Sequence, residues 1–214
     1  SDLGRLVKAL IREFPSHYKY YAEKSYEYAG IKQNNRNRLL WRDASVDGVK
    51  TGHTESAGYC LISSAKRNDM RLIAVVAGAK SDKERFNDTQ RLLEYGFRFY
   101  STQEVIKKNN ALKDVDVWGG KKNLVPLGAE NSIKLTLPRT SFRNITISYD
   151  FQNNLRAPIK EGQALGTLVI KDGEKTLHTE NLVALVDVEA KGFFGRLWAS
   201  FVLWFRGLFG LGDA

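Results

Sequence analysis

The sequence predicts an α+β fold in three parts. Antiparallel strands with helices occupy residues 1–101, a small all-β domain spans 102–190, and an amphipathic helical segment covers 191–214. Three observations predict it. Helically spaced apolar residues near the N-terminus and a capped helix opening at Ser81 bracket a run of strand-like segments. After Thr102, short alternating apolar runs separated by turn residues replace the helical period. From Phe193 to Leu211 the chain becomes rich in Phe, Trp and Leu and carries only Arg196 and Arg206 as charges.

The elements follow in order. Leu3, Leu6, Val7, Leu10 and Ile11 repeat at helical spacing, and Pro15 ends that helix because it lacks the amide a continuing helix needs. Tyr26, Tyr28 and Ile31 suggest a short strand over 25–31. Asn34-Asn35-Arg36-Asn37 is a polar loop leading into Leu39-Leu40-Trp41. Two strand-like runs, Ala57 to Ser64 and Arg71 to Val76, form a hairpin that turns at Lys66-Arg67-Asn68-Asp69. Ser81-Asp82-Lys83-Glu84 is a capping box. The helix it opens puts Phe86, Leu93 and Phe97 on one face and ends near Tyr100.

In the all-β part, Val115-Asp116-Val117-Trp118 leads into a Gly-Gly turn, and Ile133, Leu135 and Leu137 alternate up to Pro138. Ile145, Ile147, Tyr149 and Phe151 alternate in the next run. Thr167 to Ile170 and Thr176 to His178 flank Asp172-Gly173, a hairpin signal. Asn181 to Val188 reads as a last strand. No catalytic constellation is visible there. In the terminal segment a helical plot puts Gly192, Arg196, Ser200, Gly207 and Gly210 on one side, with Arg206 at its edge. Phe194, Leu197, Trp198, Phe201, Phe205 and Leu208 fill the other. A spanning helix needs about 20 apolar residues, and this stretch is interrupted by arginine and glycine. An in-plane membrane anchor built on Phe194, Trp198, Phe201 and Phe205 fits it best.

Composition narrows the partners. The chain has 214 residues and a net charge of +9, with 43% hydrophobic and 27% charged residues, the balance of a folded protein. Its basic residues are spread through every part and form no arm, which argues against nucleic acid and suits an anionic membrane surface or cell wall. Cys60 is the single cysteine, so no intrachain disulfide forms, and its apolar neighbours suit a packed thiol. One cysteine and three scattered histidines give no metal-ligand spacing. No cofactor is expected.

The chemistry concentrates in Val46-Asp47-Gly48-Val49-Lys50-Thr51-Gly52-His53-Thr54. Lys-Thr-Gly on an active-site strand is one of three signatures of penicillin-recognising serine peptidases and class A β-lactamases. With Ala57-Gly58-Tyr59, Met70-Arg71-Leu72-Ile73 and Tyr95-Gly96-Phe97, the stretch resembles the low-molecular-mass penicillin-binding proteins. Within that group it is similar to D-alanyl-D-alanine carboxypeptidases of the penicillin-binding protein 5 and 6 type. The resemblance runs from Ser1 to the C-terminus. It implies that residues 1–101 are the C-terminal part of a β-lactamase/DD-peptidase-like domain.

The resemblance also implies roles. Lys50 would polarise a second catalytic serine, and Thr51 would hold the substrate's terminal carboxylate. Gly52, without a Cβ, would let an extended peptide lie against the strand, with Thr54 beside it. The backbone N–H of His53 would complete the oxyanion hole, while its imidazole either packs or faces solvent. Arg36 and Arg85 match positions near the carboxylate pocket, where a guanidinium fork suits the ligand. Each of these two is equally readable as a surface arginine, and Arg85 also has intrahelical partners within reach.

Two further signatures of such enzymes, Ser-x-x-Lys with the nucleophile and Ser-x-Asn, stand upstream of Lys-Thr-Gly in the family. No Ser-x-Asn occurs in this chain. The strings Ser16-x-x-Lys19 and Ser63-x-x-Lys66 are read as decoys: the first is too close to Lys50, and the second puts Ser and Lys on opposite faces of a strand. The chain opens on Ser1-Asp2-Leu3-Gly4, which reads as cut from within a longer protein.

The expectation is therefore the C-terminal portion of a serine-type D-Ala-D-Ala carboxypeptidase, inactive alone. Its partners would be the peptidoglycan stem peptide and β-lactam antibiotics, with no nucleic acid. It would sit peripherally on the periplasmic face of the bacterial cytoplasmic membrane. The rival is a non-catalytic, membrane-tethered wall-binding protein derived from the same family.

Overall fold

The computed structural model describes residues 2–151 and 154–192. Contacts divide the chain into two units, one running through Gln103 and including Thr136–Arg139, the other comprising Glu104–Leu135 and the chain from Thr140 onward. The fold class is α+β, as the sequence predicts.

The first unit is built on a three-stranded antiparallel sheet of β3 (Val46–Thr54), β4 (Gly58–Arg67) and β5 (Met70–Ala79), in that order. Before it come α1 (Asp2–Glu13), α2 (Pro15–Tyr18), a 3₁₀ turn at Lys19–Ala22, the hairpin strands β1 (Ser25–Tyr28) and β2 (Ile31–Asn34), and α3 (Leu39–Arg42). After it comes α4 (Asp82–Phe99). Side chains alternate across the sheet with period two. On one face Leu61, Ala65 and Ala74 pack with Leu39, Leu40, Phe86, Leu93 and Phe97 from α3 and α4. On the other, Ile62 and Ile73 meet Val7, Leu10 and Ile11 of α1, together with Tyr18 and Tyr21. Each large side chain buried here contributes about 1.5–3 kcal/mol relative to exposure.

The capping box forms at α4. The Glu84 amide donates to the Ser81 hydroxyl at 3.1 Å, while the Glu84 carboxylate accepts from the Lys80 amide at 2.8 Å, one residue earlier than the usual reciprocal bond. At its other end Arg139 donates to the Phe97 and Arg98 carbonyls, at 3.1 and 3.0 Å, and so satisfies acceptors the last turn leaves free.

Two elements differ from expectation. Residues 25–31 form not one strand but the first arm of a hairpin that turns at Ala29 and Gly30, both at positive φ. All eight residues of its two arms are exposed, so no alternation marked the second arm. The expected last strand at 181–188 is instead the end of β13 (Lys175–Ala184), continuous with the hairpin arm after Gly173, and Val188 makes an isolated bridge to Ile159.

The second unit also contains β7 (Lys113–Trp118), β8 (Leu124–Ala129), β10 (Ile145–Phe151), β11 (Leu155–Arg156) and β12 (Ala164–Asp172). They join β13 in a six-stranded sheet ordered β10-β12-β13-β8-β7-β11. Val125, Leu127, Leu168, Ile170 and Leu182 are fully buried in its core. The remaining strands, β6 (Tyr100–Ile106) and β9 (Ile133–Pro138), pair as a separate ribbon. Among the described residues no helix is long and apolar enough to cross a membrane. Phe194, Trp198, Phe201 and Phe205 lie outside the described residues.

Candidate active site

Lys50-Thr51-Gly52 lies on β3, which pairs with β4 and has no second strand partner among the described residues. An edge strand of this kind keeps backbone donors and acceptors open to an extended ligand. Lys50, Gly52, His53 and Thr54 are exposed, whereas Thr51 is 7% exposed. The Lys50 ammonium donates to the Thr51 carbonyl at 2.7 Å.

The two glycines of the stretch serve different ends. A Cβ at Gly48 would stand 2.7 Å from the Tyr18 hydroxyl, so packing demands glycine there. At Gly52 the nearest atom to such a Cβ is that of Cys60, at 4.0 Å, and φ is not positive. Nothing inside the described chain requires glycine at 52.

The backbone entering Lys50 is held by buried polar groups. Both the Asn37 amide group and the Ser63 hydroxyl donate to the Gly48 carbonyl, at 3.0 and 2.9 Å. Asn37 also accepts from the Leu39 amide at 3.2 Å, which joins the polar loop and α3 to β3. Beside it, Tyr18 donates to Asp47 at 2.8 Å, and Arg71 bonds both Asp47 oxygens, at 2.8 and 2.7 Å, and the Ser64 hydroxyl at 2.7 Å. The Tyr18 hydroxyl is pushed up to about 12. Burial is the largest cause, the Ser64 hydroxyl opposes it, and the Asp47 carboxylate adds to it.

Arg85, on the first turn of α4, is 6% exposed and reaches the sheet. It donates to the Gly52 carbonyl at 3.1 Å and the Cys60 carbonyl at 3.4 Å, and it pairs with Asp82. Its Nε has no acceptor among the described residues. His53 stacks on Tyr59 at 4.0 Å between ring centroids, and the Arg85 guanidinium lies 5.4 Å from the same Tyr59 ring. The structure therefore ties Arg85 to Gly52, and it brings Arg36 and Arg85 to one cleft of about 650 Å³. Lys50 and Thr54 do not line that cleft. Thr54 instead accepts from the Ala57 amide at 3.0 Å and closes the turn after β3.

Ser63 is buried and Lys66 exposed, on opposite faces of β4. Ser16 is exposed on α2, where its hydroxyl meets the His17 ring at 3.3 Å. Sequence reasoning missed Asn37, Tyr18 and Tyr59 as supports of the strand. The signal for Asn37 was present in the Asn-x-Asn string just before the apolar Leu39-Leu40.

Comparison with known proteins agrees with this architecture. Residues 1–81 match the family described as D-alanyl-D-alanine carboxypeptidase, and residues 100–190 match the family described as penicillin-binding protein 5, C-terminal domain. The chain is 43% identical to D-alanyl-D-alanine carboxypeptidase DacC of Escherichia coli strain K12, over 98% of this chain and 53% of that protein. It is 37% identical to DacA of the same organism, over 98% of this chain and 52% of that protein. Among solved structures, penicillin-binding protein 5 from Haemophilus influenzae superposes with a TM-score of 0.72 at 37% identity, covering 88% of this chain and 56% of that one. Penicillin-binding protein 6B from Escherichia coli gives 0.60 at 34% identity, over 83% and 47%. The chain spans about half the length of the curated relatives it matches.

Proposed function

Because the chain belongs to the penicillin-binding protein 5 type of D-alanyl-D-alanine carboxypeptidases, we propose that it supplies the Lys-Thr-Gly strand of a serine-type enzyme. That enzyme would remove the terminal D-alanine from peptidoglycan stem peptides. One observation carries the reading: Lys50-Thr51-Gly52 sits on an open edge strand whose glycine no internal contact requires.

In this reading the stem peptide pairs along β3, and its terminal carboxylate meets Thr51 and the charges of Arg85 and Arg36. A serine supplied from outside these 214 residues attacks the D-Ala-D-Ala carbonyl. The developing oxyanion accepts from the His53 amide and the nucleophile's own amide. Lys50 keeps a positive charge beside the serine that relays protons, D-alanine leaves, and water hydrolyses the acyl-enzyme. β-Lactams acylate the same serine. The part-buried Arg85 bond to the Gly52 carbonyl supports a fixed strand at the point where the carboxylate binds.

The terminal segment around Trp198 holds the protein peripherally on the periplasmic face of the bacterial cytoplasmic membrane. The chain alone lacks the nucleophile and neither turns over a D-Ala-D-Ala peptide nor forms an SDS-stable adduct with a fluorescent penicillin. Incubating the purified chain with that penicillin tests this, with denatured protein as the blank. Stoichiometric labelling overturns the assignment and returns attention to Ser16 and Ser63.

A further inference from the structure

The cleft that Arg36 and Arg85 share is larger and more cationic than one carboxylate needs. It is lined by four arginines, Arg36, Arg38, Arg42 and Arg85, by Trp41, Asn34 and Asn35, and by one carboxylate, Asp82. We infer that Arg38, Trp41 and Arg42 form a second oxyanion subsite, which takes a carboxylate or phosphate carried on an apolar or ring-bearing group.

The sequence spacing creates it. Arg38, Trp41 and Arg42 stand at i, i+3 and i+4 across the single turn of α3, so they share its outer side while Leu39 and Leu40 face the core. Asp82 is already engaged by Arg85, and Arg38 approaches it only to 3.8 Å while remaining 70% exposed. Arg42 meets a neutral acceptor, the Asn87 side-chain oxygen, at 3.3 Å. Arg36 has no acceptor among the described residues. Like charges three or four apart on one helix face repel, and the cleft's one carboxylate, Asp82, pairs with Arg85 and stands 3.8 Å from Arg38. Four guanidinium groups against one carboxylate leave the cleft cationic, and its walls focus the field so as to favour an anion there. Trp41, 48% exposed, offers a flat apolar plate beside two guanidinium forks, which suits an oxyanion attached to a ring or a hydrocarbon arm.

This inference does not depend on the peptidase reading, since it needs only the cleft. Its test is a titration of the isotopically labelled 214-residue chain with citrate and, separately, inorganic phosphate, followed by NMR at constant ionic strength. Saturable shifts of the amides from Asn34 to Arg42 and of the Trp41 indole are expected. The Arg38→Gln/Arg42→Gln double variant, at exposed positions, should weaken binding by about tenfold or more, as loss of two charge-assisted contacts requires. The charge-matched control Lys8→Gln/Lys66→Gln should leave it unchanged. Saturation by citrate alone assigns a carboxylate ligand, and saturation by phosphate alone assigns a phosphate. The absence of saturable shifts with both probes overturns the subsite, as does equal weakening by the double variant and the control. Neither of those failures touches the reading of Lys50, which the penicillin experiment tests separately.

Discussion

At the scale of single residues, the strand that carries Lys50 is held by side chains far from it in sequence. Asn37 joins a β3 carbonyl to a helix start, and both its side-chain bonds are buried. Asn37→Ala leaves the Gly48 carbonyl its Ser63 partner but strips the buried Leu39 amide of its acceptor, and should therefore cost about 1–3 kcal/mol, measured by urea unfolding. Gly48→Ala should also destabilise, and less so in a Tyr18→Phe background, because the hydroxyl it meets first is then gone. Tyr18 gives a pH signature. Its hydroxyl ionises at 10.0 ordinarily and at about 12 in the folded protein. The unfolded chain thus loses that proton first as pH rises. The contribution is whole below about 10 and disappears as pH climbs to about 12. The difference in stability between wild type and Tyr18→Phe should shrink across that window, as unfolding at a series of pH values will show. Asp43 works in the opposite direction. Burial alone would raise its carboxyl, but hydrogen bonds from the Ser45 hydroxyl and amide and from Arg67 outweigh burial and hold it below its ordinary value. Its contribution is present above the ordinary carboxylate range and is lost only as pH falls through the lowered value.

Among the elements, α4 is where local sequence and packing agree most closely. Ser81→Ala removes its N-cap and should cost about 1 kcal/mol. Phe86→Ala, which empties a fully buried position between α4 and the sheet, should cost about 3–5 kcal/mol by thermal or urea unfolding. This helix was legible because it buries one face, so period and cap pointed to one answer, and the β4–β5 hairpin because two apolar runs flank a polar turn. The β1–β2 hairpin was not, since exposed arms impose no alternation. The Lys-Thr-Gly strand was legible as a motif, but its supports were not. Tyr18 and Asp47 are 29 residues apart, and Asp47 and Arg71 are 24 apart. No local period reports such contacts. The cationic cleft was half legible: Arg36 and Arg85 stood out by resemblance, while Arg38 and Arg42 acquire meaning only when one turn of helix places them side by side.

The whole molecule, in the proposed reading, carries a peptidase part, a β part and a terminal anchor. Deleting residues from Gly192 onward should release the protein from anionic vesicles in a sedimentation assay. In the proposed reading, a handful of aromatic side chains at about 1.5–3 kcal/mol each would hold it there. If the truncated protein still sediments, the anchor lies elsewhere. The central claim, that Lys50 on an open edge strand belongs to a D-Ala-D-Ala carboxypeptidase, is tested most directly by D-alanine release from a D-Ala-D-Ala peptide. The measurement compares the full-length product of this gene with its Lys50→Ala variant. The account predicts turnover by the first and a fall in kcat/KM of about 10²–10⁴ in the second, the range expected for loss of a group that assists proton transfer. Equal rates in the two proteins, or no release by the full-length product, would contradict it.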